Sequence, residues 1–208
     1  MPKPQLTPWQ AVIDWHAEAV LFDHVANTDH PYLQRHGWFM VLGAVFDAQT
    51  YVAADDGLDL LYVGDAFRQT LGEKLTSDLP TFERIRAALT ANKTCVVVLG
   101  CPTARSRKQR GVDYLEGVLW GLRNRHRTIV KDRGAGGVYR GKTLKITNEG
   151  AHSPLKRWLL VREVDSLPVE ITAPEKRASD RFKIAPAGSS STVRRRKRRP
   201  PTTVATRA

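Results

Sequence analysis

The stretch LLYVGDAFRQTLGEKL, residues 60–75, places a phenol (Tyr62), a glycine (Gly64), a carboxylate (Asp65) and two cations (Arg68 and Lys74) in close succession. A hydroxyl beside cations suits a phosphate, whose charge needs positive partners and whose oxygens accept hydrogen bonds. The competing reading is packing, with the Tyr62 ring closing the end of a strand and Arg68 a solvated surface residue. Further along, Glu116 lies between two basic clusters. Arg105, Arg107, Lys108 and Arg110 precede it in ARSRKQR, and Arg123, Arg125 and Arg127 follow it in RNRHR. Cations at a rim with one carboxylate at the floor suit a polyanion together with a metal ion. The plainer account is a helix with solvated ends, whose dipole favours cations at its C-terminus in any case.

These residues depend on a few elements to bring them together. Residues 9–28 place Trp9, Val12, Ile13, Ala19, Val20 and Val25 at roughly helical spacing, with Thr7 as a cap and Pro8 at the first helical position. They predict an amphipathic helix. The apolar run 37–46 predicts a buried strand, and 47–59 a polar loop or ragged hairpin with Asp56-Gly57 as its turn. LLYV, 60–63, predicts a second strand closed by Gly64. A helix is expected over 67–75, capped by Asp65, and another from Pro80. KTCVVVLGC, 93–101, is dominated by β-branched residues and predicts a third strand. Val112, Leu115, Leu119 and Leu122 predict a helix over 107–124, in which Gly117 and Gly121 cost about 1 kcal/mol each unless something packs closely on them. LKIT, 144–147, reads as a short strand; 155–164 reads as either strand or helix.

Of the net charge of +12, the residues from Lys176 onward carry +10, so the body is close to neutral and the overall basicity says little about its surface. The tail is poor in apolar residues and crowded with like charge, and is expected to be disordered. RRRKRRP, 194–200, fits a nuclear-import patch, a nucleic-acid tether or a plain solvated tail. No apolar run is long enough to span a bilayer, and the N-terminus lacks the basic-then-apolar pattern of a secretory signal, so an intracellular protein without membrane contact is expected. Cys95 reads as a buried strand residue and Cys101 as a loop thiol. The histidines are scattered and read as surface residues; only His30 and His36 have a spacing that suggests a metal. GAGG, 134–137, lacks the strand-to-helix context of a phosphate loop.

Two apolar strands, a helical connection, a third strand and a Glu-bearing helix follow one another in an order that resembles the GIY-YIG nuclease superfamily. YVG at 62–64 matches the second half of its signature, QTLGEKL resembles its Arg-bearing helix, and LKITNEG, 144–150, resembles a segment that follows the core in some members. The resemblance covers about residues 39–150. It implies metal-assisted hydrolysis of phosphodiesters, with Mg²⁺ or Mn²⁺ on Glu116 and Tyr62 orienting or activating water. Two positions depart from the pattern. Lys74 stands near where the family has Arg, keeping the charge but not the bidentate fork, with Arg68 as the other candidate. The first signature tyrosine is either replaced by Phe46 or is Tyr51, eleven residues before Tyr62.

The sequence thus points to an α/β protein on a small three-stranded, mainly antiparallel sheet flanked by helices. Its expected division is an N-terminal helical extension (1–36), a GIY-YIG-like domain (37–165) and a disordered basic tail (166–208). The expected function is a metal-dependent endonuclease acting on DNA more than RNA. The alternatives are an inactive nucleic-acid-binding protein on the same fold, or a protein-interaction module with a basic localisation tail.

Overall fold

In the computed structural model the described residues are 9–47, 52–53, 57–104, 111–126, 128–130, 139, 141–162 and 183–184. The chain enters through β1 (Trp9–Trp15) and β2 (Glu18–Leu21), passes a 3-10 helix (Phe22–Asn27), and continues into β3 (Gly37–Ala44). Two short strands, β4 (Phe46–Asp47) and β5 (Val52–Ala53), precede β6 (Asp59–Ala66). Helices α1 (Leu71–Ser77) and α2 (Leu79–Ala87) lead to β7 (Thr94–Pro102), and α3 (Val112–Arg125) to β8 (Leu144–Gly150), β9 (Trp158–Val161) and β10 (Lys183–Ile184).

The expected three-stranded sheet is not what forms. The sheet is mixed, with seven main strands, and curls strongly into a half-barrel with few helices. The antiparallel trio β6–β3–β7 is there, but only as one end of it. The second edge of β7 is taken by β1 (Trp15 opposite Gly100) and by β2 (Val20 opposite Val97). Beyond β1 come β8, parallel to it along its whole length, and then β9; beyond β2 come β10, β5 and β4. The reason is visible in β7 itself. Cys95 to Cys101 are buried without alternation, which requires cover on both faces and suits an interior strand with both edges paired.

The helix expected over 9–28 is replaced by β1, β2 and the 3-10 turn. Ala11, Ile13 and Trp15 enter one core at a period of two. Both backbone edges of β1 are used, by β7 and β8. The β-branched residues that looked helical in spacing thus serve a strand, with the chain kinked at His16–Ala17 between two strands that pair with the same neighbour.

Two cores result. Trp15, Trp38, Val63, Val98, Tyr114, Val118 and Ile146 pack on the α3 side, and Phe39, Leu61, Leu71, Phe82, Ile85 and Val97 under α1 and α2. Cys101 lies in β7 and not in a loop; it and Cys95 are buried and neither forms a disulfide. The glycines of α3 are accounted for by side chains. A Cβ on Gly117 would press on the Tyr139 ring, and one on Gly121 would meet Ile146 and Val161 at 2.7 Å. The residues expected as a disordered tail lie outside the described residues, apart from β10.

Candidate functional site

Strand β6 does not end at Gly64; it runs on to Ala66. Its pairing with β3 slips between Val41, opposite Tyr62, and Leu42, opposite Leu60, so Leu61 is an extra residue. Such a bulge re-aims the side chains beside it. Leu61 and Tyr62 both enter the core under α1, and the Tyr62 ring lies 5.9 Å from that of Phe39. Gly64 seats both rings, since a Cβ there would collide with each. The glycine is required by close approach and not by a turn.

Helix α3 crosses the outer edge of β6. Arg123 Nε donates to the Val63 carbonyl at 2.7 Å and Nη2 donates to the Tyr62 hydroxyl oxygen at 2.8 Å, with the guanidinium 5.0 Å from the ring centroid. Tyr62 is 4% exposed, so its ring is packed while its oxygen faces a cation. The packing reading of this residue is met, and the cation beside its hydroxyl is Arg123 in place of Arg68 or Lys74.

Around this contact opens a cleft of about 620 Å³. Tyr62, Arg68, Lys74 and Glu116 all line it, together with Asp65, Asp78 and Arg123. Asp65 does not cap α1. Thr70 does, through a capping box in which its Oγ1 accepts from Glu73 N–H at 3.2 Å and Glu73 Oε2 accepts from Thr70 N–H at 2.8 Å. Asp65 is left half-buried in the cleft. Burial pushes its carboxyl above the usual carboxylate range, against the pull of Arg123, Lys74 and Arg68. Lys74 is engaged with Asp78 at 2.7 Å. Burial works against the Asp78 charge, but Lys74 and Thr81 outweigh it and hold that carboxyl below the usual range. Glu116, on α3, and Arg68, in the loop before α1, are exposed and line it as well. The lining balances three cations (Arg68, Lys74, Arg123) against three carboxylates (Asp65, Asp78, Glu116).

Other candidates fall elsewhere. Arg125 donates to the Leu160 carbonyl at 3.2 Å, against β9, and does not line the cleft. Tyr51, Arg105, Arg107, Lys108, Arg110 and Arg127 lie outside the described residues, as does the side chain of Phe46.

A second polar group sits at the kink between β1 and β2. His16, Glu18 and His30 bring ligand-type atoms within 4.8 Å of one another, a group that could hold a metal ion. The rings are also bonded to the chain: His16 Nδ1 accepts from Glu18 N–H at 3.1 Å, and His30 Nδ1 from Tyr32 N–H at 3.1 Å. Each ring then carries its hydrogen on Nε2, and His30 Nε2 donates to His16 Nδ1 at 3.1 Å. Burial, then the neighbouring His16, lowers the His30 pKa to about 4. Tyr32 donates to Asp14 Oδ2 at 2.8 Å, and burial and that bond raise its pKa to about 12. His30 is 2% exposed and His126 8%, so neither is the surface residue expected, and His30 pairs with His16 and not His36.

Arg123 lines the cleft as its place in the second basic cluster implies, but Asp65, the bond from Arg123 to Tyr62 and the His16–His30 pair were not foreseen. The first had a competing capping role. The third depends on a kink that a helical reading removes. Comparison of the chain with protein-family models, curated proteins and solved structures finds no match. Among the described residues no helix is long and apolar enough to cross a membrane.

Proposed function

We propose that the cleft beside β6 binds nucleic acid, DNA in preference to RNA, and hydrolyses its phosphodiester bonds with a divalent cation, Mg²⁺ or Mn²⁺, carried by Glu116. The observation that supports this is the meeting of Tyr62, Arg68, Lys74 and Glu116 in one cleft, although β6, the loop before α1, α1 and α3 supply them separately.

The charge balance gives the metal its part. A lining of three cations and three carboxylates has no net attraction for a polyanion. A divalent ion makes it positive. Mg²⁺ commonly takes only one or two carboxylates and completes its shell with water and phosphate oxygens, so Glu116 with Asp65 of the same cleft is an adequate protein contribution. Glu116 would hold the ion, and the chemistry it would supply when bound is polarisation of a phosphoryl oxygen and stabilisation of the leaving oxygen. Tyr62 Oη, fixed by Arg123, orients the attacking water; the new P–O bond forms from that water, and the departing oxygen leaves with a proton. Arg68 neutralises charge on the non-bridging oxygens. Lys74 joins it only by exchanging Asp78 for phosphate.

A nicking assay in Mg²⁺ or Mn²⁺ tests this with wild type, Glu116→Ala and Tyr62→Phe. Glu116→Ala is expected to lose on the order of 100-fold or more, and Tyr62→Phe on the order of 10- to 100-fold. Equal cleavage by all three proteins removes the mechanism. The Lys74–Asp78 pair favours a second reading, nucleic-acid binding without chemistry, because it withholds one cation from the phosphate. That reading predicts salt-sensitive binding and no cleavage with either metal.

A further inference from the structure

The cleft also has an apolar patch that the phosphate chemistry does not use. Leu115 and Leu119 lie one turn apart on α3, in line with Arg123 one turn further on, and Phe67 stands in the loop before α1. All three apolar residues are half-buried, packed against the α3-side core with their remaining surface lining the cleft. Phe67 meets the buried Trp38 edge-on, with ring centroids 4.7 Å apart and planes at 71°, so its ring is held by a rigid neighbour. A phosphate alone has no use for an apolar wall beside its cations, and water gains nothing there.

We infer that the cleft takes a single-stranded or extruded nucleotide, seating its base on Phe67, Leu115 and Leu119 while its phosphate faces Arg68 and Arg123. The inference rests on the cleft being the phosphodiester site and specifies which form of nucleic acid enters it. An aromatic platform beside a cationic track is the usual way to hold an unpaired strand, because every base offers a π face whatever its identity. In a duplex that face is covered by stacking, and exposing it costs a few kcal/mol of unstacking, least for a base already unpaired. A cleft of about 620 Å³ also lies within the range of sites that take a ligand the size of one nucleotide.

The test compares two 12-nucleotide single strands, oligothymidylate and its fully abasic counterpart, binding to the full chain with Ca²⁺ as divalent ion. Their phosphates are identical, so the basic tail attracts both equally and cancels from the ratio. Wild type is expected to bind the base-bearing strand about 10-fold or more tighter. Phe67→Leu keeps an apolar contact on Trp38 but removes the π face. It is expected to bring the ratio towards unity without weakening the abasic strand. Equal affinity of wild type for both strands overturns the inference, as does an equal loss on both strands in Phe67→Leu. Arg68→Ala separates the two levels of argument. If it leaves the abasic strand's affinity untouched, the phosphodiester reading fails and this inference with it. If it weakens that strand while the ratio is unity, only the base platform fails.

Discussion

The two polar regions of this protein use similar residue types to opposite ends. At the β1–β2 kink, His16, His30, Tyr32 and Asp14 are turned on one another and on the backbone: both Nδ1 atoms accept N–H groups, and the phenol donates to the carboxylate. At the β6 edge, Asp65 is desolvated among three cations, and Glu116 and Arg68 stand exposed in the cleft. The first arrangement completes itself and so resembles the rest of a well-packed interior. The second leaves charges that a ligand can complete. Perturbed titration alone would mark both regions. What separates them is where the partners come from.

Arg123 belongs to both kinds, and its replacement should have the largest effect. It bonds the Val63 carbonyl and the Tyr62 hydroxyl while lining the cleft. Arg123→Leu is expected to lower cleavage by on the order of 100- to 1,000-fold and stability by about 1.5–3 kcal/mol, the range for hydrogen bonds to a charged group. Arg68→Ala should reduce cleavage with the melting temperature unchanged. Activity assays and thermal melts on both variants give the comparison. If Arg123→Leu melts with wild type, the guanidinium is not a structural tie. If Arg68→Ala destabilises, the cleft is as self-satisfied as the kink.

How far this division could be read in the sequence depended on which forces set each element. Strands β3, β6 and β7 were legible because both faces are buried and their apolar runs admit little else. Helix α3 was legible from its repeat at three and four residues. Helix α1 began later than expected because Thr70 and Glu73 form the capping box that Asp65 had been credited with, although T-x-x-E was there to be read. β1 and β2 were hidden, since their state is decided by β7 and β8, more than eighty and one hundred residues away in places, and not by local preference. The sheet was underestimated for the same reason. Of the cleft, the residues in or beside recognisable turns and helices were identifiable: Tyr62, Arg68, Lys74 and Glu116 all line it. Asp65 and Asp78 were not, because their importance lies in the cations around them, which no local pattern encodes.

The self-satisfied histidines should announce themselves in stability and not in cleavage chemistry. His126 is bonded through both ring nitrogens, Nδ1–H to the Leu122 carbonyl at 2.8 Å and Nε2 from Lys156 N–H at 2.7 Å. Burial foremost lowers its pKa to about 4, as it does for His30. Both folded-state values lie below the ordinary imidazole value of 6.5, so the unfolded chain binds protons first. The stability these rings contribute is complete above pH 6.5 and lost as pH falls from there towards 4. His126 alone accounts for about 1.4 kcal/mol per pH unit within that window. Melting temperature measured from pH 7.5 to 4.5 should therefore decline below 6.5, and His126→Gln should flatten part of the decline. A level profile between pH 7 and 5 would show that these rings titrate as free ones do.

Zinc provides the finest discrimination. Imidazole donors suit Zn²⁺ better than Mg²⁺, so His16, Glu18 and His30 are the place for it among the described residues. Coordination through His30 Nε2 requires the hydrogen to move to Nδ1, where it meets the Tyr32 N–H head-on; His16 faces the same conflict with the Glu18 N–H. Two backbone bonds must break before the ion gains its ligands, so binding should be weak. At a free Zn²⁺ concentration equal to its dissociation constant the stabilisation is about 0.4 kcal/mol, or roughly 1–2 °C in a chain of this size. A thermal melt titrated with Zn²⁺ should show that shallow rise only at a large excess of metal, and His30→Ala should abolish it. A steep rise complete at one equivalent would mean that the kink, too, awaits a ligand, and the contrast between the two regions would reduce to one between imidazole and carboxylate sites.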